Sequence, residues 1–321
     1  MNKIKIGVAG VGIMGQNHCK TLQLMINDVE FVGVYDKDIQ KCSEVGNKFN
    51  VKSFNNYEDL LVNVDAVIIA TPTTFHYSLI KIAINKNKNI LVEKPFVTSL
   101  KESEDIKLLL KGKKLIFQVG HIERFNPAFQ NLYKAVTPKN MLAIEARRLG
   151  QVQRNIDIDV ILNLMIHDID AVLALVNSPL KKIAADGRAV VNKEELDIVY
   201  AVLSFENGII ANLVANRVSK EKARLLTITE YDKVFKADCL TRNLYIYQGI
   251  NSTSENSLPY KKESIIEKVL VPRNEPLHSE ILHFVQSIHM NKAPLIGIHE
   301  AGKSLEVALK IKELVSTKMK N

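Results

Sequence analysis

The chain has 321 residues, 46% of them apolar and 24% charged, with a formal net charge of +8. That length favours two domains over one, and the balance is that of an ordinary globular protein, which excludes disordered and fibrous classes. No apolar run reaches the roughly 18 residues that a membrane-spanning helix needs. The first predicted element is a strand over residues 3–9 (KIKIGVA). It runs into Gly10-Val11-Gly12-Ile13-Met14-Gly15 and then a helix to about Met25. A second strand, VEFVGVYD, ends at Asp36, about twenty residues beyond Gly15, which is the context that a dinucleotide fingerprint requires. Gly10 permits the tight turn, Gly12 lets the backbone approach a pyrophosphate, and Gly15 lets the helix pack on the strand. The helix N-terminus, with Ile13 and Met14, then faces the phosphates with free N–H groups. Asp36 would accept from the adenosine ribose and repel a 2′-phosphate, so NAD is favoured over NADP.

The β/α alternation continues with helices over 37–48 and at Tyr57-Glu58-Asp59-Leu60-Leu61, a strand over 65–70, and a helix over 75–86. Strand 89–92, helix 99–110 and strand 115–119 follow. Such an order predicts an α/β, doubly wound parallel sheet with its ligand edge at the carboxyl ends of the strands. Thr71-Pro72, Glu93-Lys94-Pro95 and Gly120-His121 all fall at that edge. An acid and an ammonium there stand where a buried strand leaves the core.

From about 122 the rhythm changes. An arm and helix (ERFNPAFQNLYKAV), a strand (LAIEARRL) and a helix over 158–176 come first. Strands over 183–191, 197–206, 209–217 and 224–230 follow, with a hairpin turn at Glu206-Asn207-Gly208. Two shorter strands near 233–238 and 243–247, a polar segment over 249–264, and helices near 276–290 and 299–318 complete the chain. The expected division is a dinucleotide-binding domain over 1–121 and an α+β domain over 122–321, built on a mainly antiparallel open sheet. In the 158–176 helix, Val160, Leu164 and His167 share a face, with Ile161 and Leu164 on the packing stripe.

The three cysteines Cys19, Cys42 and Cys239 are odd in number and far apart, which argues against a disulfide framework or a zinc cluster. No metal is expected. With an N-terminus that enters a strand directly, a cytoplasmic protein is expected. The scattered lysines lack interleaved aromatic residues, so the surplus charge suits an anionic small molecule better than nucleic acid, and no membrane partner is expected.

Taken together, GVAGVGIMGQNH, ATPTTFHYSLI, VEKP, GHIERFNP and NLMIHDID resemble the glucose–fructose oxidoreductase / inositol dehydrogenase (Gfo/Idh/MocA) family, in the family's order and over essentially the whole chain. The resemblance implies an NAD-dependent sugar or polyol dehydrogenase with a Rossmann domain and a second domain that binds substrate and pairs subunits into a homodimer or homotetramer. QVGHIERFNPAF, IEARRL and NRVSKEKARLL look most like the enzymes that oxidise UDP-N-acetylglucosamine at C3 to a 3-keto sugar used by an aminotransferase. By the same resemblance Lys94 and His167 are catalytic, and the acceptor of the substrate proton is one or the other. Thr71, Pro72, His76 and Glu93 join the cofactor side. His121, Arg124, Asn126 and Asn163 join the substrate side.

Asn163 stands where many relatives have Asp, so it can hydrogen-bond a hydroxyl but holds no charge. Arg124 and Asn126 read equally as substrate ligands or as a brace between domains. Arg147, Arg148, Arg217 and Lys220 are weaker candidates for the nucleotide, and Asp168 and Asp170 read as structural. A dehydrogenase of a free sugar, inositol or a UDP-uronic acid is the rival enzyme. A non-catalytic NAD-sensing regulator is the rival of another class.

Overall fold

The computed structural model describes residues 2–151, 158–191, 195–249 and 264–320. The chain forms two compact units, Met1–Ile122 with Glu275–Glu306, and Glu123–Asn274 with Val307–Asn321.

In the first unit the strands are β1 (Ile4–Ala9), β2 (Val29–Tyr35), β3 (Lys52–Phe54), β4 (Ala66–Ile69), β5 (Asn89–Glu93) and β6 (Phe117–Gly120). They form one parallel sheet in the order β3-β2-β1-β4-β5-β6. The order reverses between β1 and β4, the position at which doubly wound sheets bind ligands. β4, Ala66-Val67-Ile68-Ile69, is buried at every position, as a parallel strand covered on both faces must be. The connecting helices are α1 (Ile13–Leu24), α2 (Ile39–Phe49), α3 (Tyr57–Val62), α4 (His76–Asn85) and α5 (Leu100–Leu110). Asp38 caps α2 and Ser99 caps α5 through their side chains, supplying acceptors to N–H groups that a helix start leaves orphaned.

The second unit adds α6 (Pro127–Ala135), β7 (Met141–Leu149), a π-helical turn over Ile161–Met165 that continues into α7 (Ile166–Val176), and the strands β8 (Leu180–Arg188), β9 (Ile198–Phe205), β10 (Ile210–Asn216), β11 (Ala223–Glu230), β12 (Lys233–Asp238), β13 (Asn243–Gly249) and β14 (Ser264–Val269). They make an eight-stranded sheet in the order β14-β13-β12-β11-β7-β10-β9-β8. Among the described residues, only β7 and β10 pair in parallel in this sheet. The hairpin joins β9 to β10 with Gly208 at a φ of 87°, the left-handed region that glycine enters freely.

The last two helices are α8 (Pro276–Met290) and α9 (Ile298–Lys320). The sequence places both in the second domain, but residues 275–306 return to the first unit. There Leu277, Ile281, Phe284 and Val285 of α8 join the core cluster formed by Ile6, Val8, Leu22 and Met25. The helix is amphipathic, and its apolar stripe is buried by α1 and β1. Two short strands, β3 and β14, also lie beyond what the sequence predicts. The polar segment over 249–264 falls almost wholly outside the described residues. Among those residues, no helix is long and apolar enough to cross a membrane.

Candidate functional site

The glycine turn is the first part of the site. Gly10 has a φ of 91°, and a Cβ there would lie 2.6 Å from the Thr71 backbone nitrogen. A Cβ on Gly15 would lie 1.8 Å from the Gly10 carbonyl oxygen. The protein's own packing therefore demands both glycines. Gly12 differs, since a Cβ there would meet nothing within 4 Å. That open space leaves room for the close approach of a pyrophosphate. Beside it Ile13 is 83% exposed at the first turn of α1. Asp36 is oriented by backbone donors, with Oδ2 accepting from Val11 N at 2.8 Å and Oδ1 from Asp38 N at 3.0 Å. A carboxylate has about four lone-pair directions, so the ribose can still be accepted. The turn, the helix start and Asp36 fit a dinucleotide.

β5 ends at Glu93, and Lys94 follows it in a bend. Glu93 pairs in register with Gly120, whose missing Cβ leaves room for the carboxylate. His18 of α1 lies with Nε2 2.8 Å from Glu93 Oε1. Burial pushes the Glu93 carboxyl up, but the His18 bond and nearby positive charge bring it below its ordinary value. Lys94 is half-buried and followed by a cis peptide to Pro95. Thr71 and Pro72 follow β4. His76, expected on the cofactor side, is 1% exposed and spans between the Pro95 and Thr71 carbonyl oxygens. His121 is buried just after β6.

In the second unit His167 lies in the first turn of α7, and Asn163 lies in the π-helical turn before it. Ile166 N–H reaches back to the Ile161 carbonyl, an i→i+5 bond that widens the turn, and such turns recur at functional sites. The widening alters the helical wheel. Leu164, placed on the packing stripe by an α-helical period, is half-exposed beside Asn163 and His167, while Val160, Ile161, Leu162, Met165 and Ile166 are buried. The segment starts at Asp159, whose Oδ1 accepts from Ile161 N at 2.9 Å and Leu162 N at 3.1 Å, and whose Oδ2 pairs with Lys312 at 2.6 Å. Arg217 holds the residue before it, donating to the Ile158 carbonyl at 3.0 Å while bound to Asp197 at 2.6 Å and Glu195 at 3.3 Å.

The back of α7 rests on a buried ionic network. Arg148 donates to both oxygens of Asp168, at 2.8 and 2.9 Å, and to Glu123 at 2.9 Å. Arg224 reaches Glu123 at 3.4 Å. Burial pushes the Glu123 carboxyl up, but Arg148 and Arg224 hold it below its usual range, whereas burial leaves Asp168 raised. Arg124 pairs with Asp170 at 3.4 Å and lies over the Phe129 ring. Asn126 caps α6 and donates to Glu123 and the Cys239 carbonyl. These bonds make Arg124 and Asn126 parts of the second unit's own scaffold. The same holds for Arg148 and Arg217, while Arg147 is half-exposed and pairs with Glu221. Burial raises the Cys239 thiol well above its ordinary value, so it does not offer a thiolate.

Sequence reasoning missed His18, Asp159 and Glu280 of α8. A signal for two of them exists. His18 and Glu280 each occupy a helical apolar stripe, Gly15-His18-Cys19-Leu22 and Leu277-Glu280-Ile281-Phe284, where a polar residue requires a partner or a function.

The chain is similar to known proteins over nearly its whole length. Residues 4–121 match the Gfo/Idh/MocA profile described as an oxidoreductase family with an NAD-binding Rossmann fold, and residues 146–230 match the Gfo/Idh/MocA C-terminal domain. The UDP-N-acetylglucosamine 3-dehydrogenase of Acidithiobacillus ferrooxidans is 31% identical over 319 residues, 98% of each chain. A solved structure of that enzyme superposes with a TM-score of 0.90 at 30% identity, covering 99% of both chains. The scyllo-inositol 2-dehydrogenase (NAD(+)) of Bacillus subtilis is 24% identical over 96% of this chain and 93% of its own.

Proposed function

Because the chain belongs to the Gfo/Idh/MocA family of NAD-binding oxidoreductases, we propose that it oxidises UDP-N-acetylglucosamine at C3 to the 3-keto sugar. The observation that carries the substrate is the end-to-end match, at 31% identity, to an enzyme of that activity. NAD, when bound, accepts the hydride. Gly10, Gly12, Gly15, Ile13 and Met14 hold its pyrophosphate side and Asp36 its ribose, with Thr71, Pro72 and Glu93 shaping the nicotinamide side. Where His167 takes the hydroxyl proton, Lys94 stands as an ammonium beside the developing alkoxide; where Lys94 takes it, Lys94 meets the substrate as the neutral amine and becomes the ammonium as the proton arrives. Imidazole ordinarily titrates near ~6.5 and suits a base at neutral pH. Asn163 orients a substrate hydroxyl. The second unit pairs copies of the chain through the open face of its sheet, and an aminotransferase reaction consumes the ketone.

A second reading is favoured by one observation. Arg124, Arg148 and Arg217, the arginines expected to meet a diphosphate, are held in internal ion pairs, which suits a free polyol such as an inositol. The test uses UDP-N-acetylglucosamine deuterated at C3, NAD and a hydroxylamine trap, with scyllo-inositol and a UDP-uronic acid run in parallel. Deuterium is expected in the reduced cofactor, and to vanish in Lys94→Ala and His167→Ala. Label transfer from a polyol alone would replace the nucleotide sugar by the second reading.

A further inference from the structure

Three buried ionisable side chains of the first unit surround Glu93 and have no part in the steps above: His18 on α1, His76 on α4 and Glu280 on α8. Donor and acceptor counting fixes where their protons sit. A carbonyl oxygen can only accept, and a neutral imidazole carries a single N–H. His76 Nδ1 lies 2.9 Å from the Pro95 oxygen and Nε2 lies 2.9 Å from the Thr71 oxygen. Both bonds exist only if both nitrogens carry hydrogen.

The neighbours are consistent with that charge. His18 meets the Glu93 carboxylate through Nε2 and leaves Nδ1 buried without a partner among the described residues. Glu280 is 0% exposed, and neither carboxyl oxygen has a partner among the described residues. An ionised carboxylate in that position has nothing to offset its desolvation, so the acid stays neutral. Glu93 is left as an anion, and His76 faces it as a cation. Several other charged or titratable groups on elements around α4 have partners of their own. Lys37 lies over the Phe75 ring, Asp105 of α5 takes Tyr77 and Lys81, and Tyr57 of α3 donates to the Leu79 carbonyl.

We propose that His76 is a standing imidazolium, balanced by Glu93, which fastens the segment after β4 to the segment after β5 and so positions Lys94. The effect on catalysis rests on the role given to Lys94 above; the protonation state of His76 does not. His76 touches neither reacting atom in this scheme and is a positioning residue.

The experiment is a long-range ¹H–¹⁵N correlation spectrum of the full-length protein, with the His76 ring signals identified by their loss in His76→Gln. Both His76 nitrogens are expected to stay protonated from about pH 6 to about pH 9, well beyond the ordinary imidazole value. One bare nitrogen at neutral pH would overturn the proposal, whatever the substrate proves to be. In His76→Gln the amide offers N–H groups at one end only, so one carbonyl loses its donor. With the fold verified by circular dichroism, hydride transfer is expected to slow roughly tenfold or more, the scale of one lost charge-assisted hydrogen bond, with little change in KM. Unchanged kcat in a folded His76→Gln protein would also overturn the positioning role.

Discussion

Gly10, Gly12 and Gly15 are equivalent letters of one motif, yet the space around each differs, and so should the cost of adding a methyl group. Gly15→Ala drives a Cβ into the Gly10 carbonyl and is expected to destabilise the protein by ~1–3 kcal/mol, as overpacking does. Gly12→Ala meets open space at an ordinary φ of −66°. It should leave stability within ~0.5 kcal/mol of wild type while NAD affinity falls sharply. Urea denaturation and a cofactor titration on the two variants separate these outcomes. Glu280 offers a second test at this scale. Burial, followed by the negative charge of Glu93, raises its carboxyl well above the ordinary value. Below about pH 4.3 the folded and unfolded chains both hold the proton, and the group's contribution is fully present. As pH rises, the unfolded chain ionises while the buried acid does not, so stability falls by up to ~1.4 kcal/mol per pH unit until the folded value is passed. Glu280→Gln should therefore be more stable than wild type at neutral pH, with the difference shrinking toward pH 4. Unfolding curves across that range would show it.

Among the elements, those with strong periodicity were legible from sequence. The strand–glycine–helix start, the apolar run of β4 and the Asn-Gly hairpin each carry a local physical signature, and each is found where that signature lies. β3 was not legible, because a strand of three residues is too short to show alternation. The π-helical turn at Ile161–Met165 was not legible either, since its extra residue per turn comes from backbone bonding that an apolar stripe does not record. The ionic network behind α7 is likewise tertiary. Arg148, Asp168 and Glu123 come from three separate elements, and in sequence Arg148 looks no different from half-exposed Arg147. Their alternation along β7, one side chain in and one out, decides which is buried. Arg148→Met leaves Glu123 and Asp168 buried without their shared cation and should cost about 3–5 kcal/mol. Thermal or urea unfolding reads that loss, and the lost support beneath α7 should lower kcat as well.

For the molecule as a whole, the eight-stranded sheet presents Tyr200, Val202 and Ile210 on exposed positions of β9 and β10, an area of apolar surface that the proposed pairing of copies would cover. Val202→Lys is expected to shift the protein to monomer in sedimentation analysis while its melting temperature in dilute solution changes little. The order in which the chain builds its two units has a separate consequence. The core of the nucleotide-binding unit closes only when α8 supplies Leu277, Ile281, Phe284 and Val285 to Ile6, Val8, Leu22 and Met25, and α8 begins at Pro276. During synthesis, then, the first-made unit is among the last to finish. Residues up to 122 leave the ribosome with an apolar flank uncovered, and residues 123–275 must be translated before its cover arrives. Domains made first generally fold first; here the N-terminal piece has to wait, exposed to chaperones, for its C-terminal partner segment. A nascent chain stalled before residue 276 should bind a holdase, and one stalled beyond α9 should not.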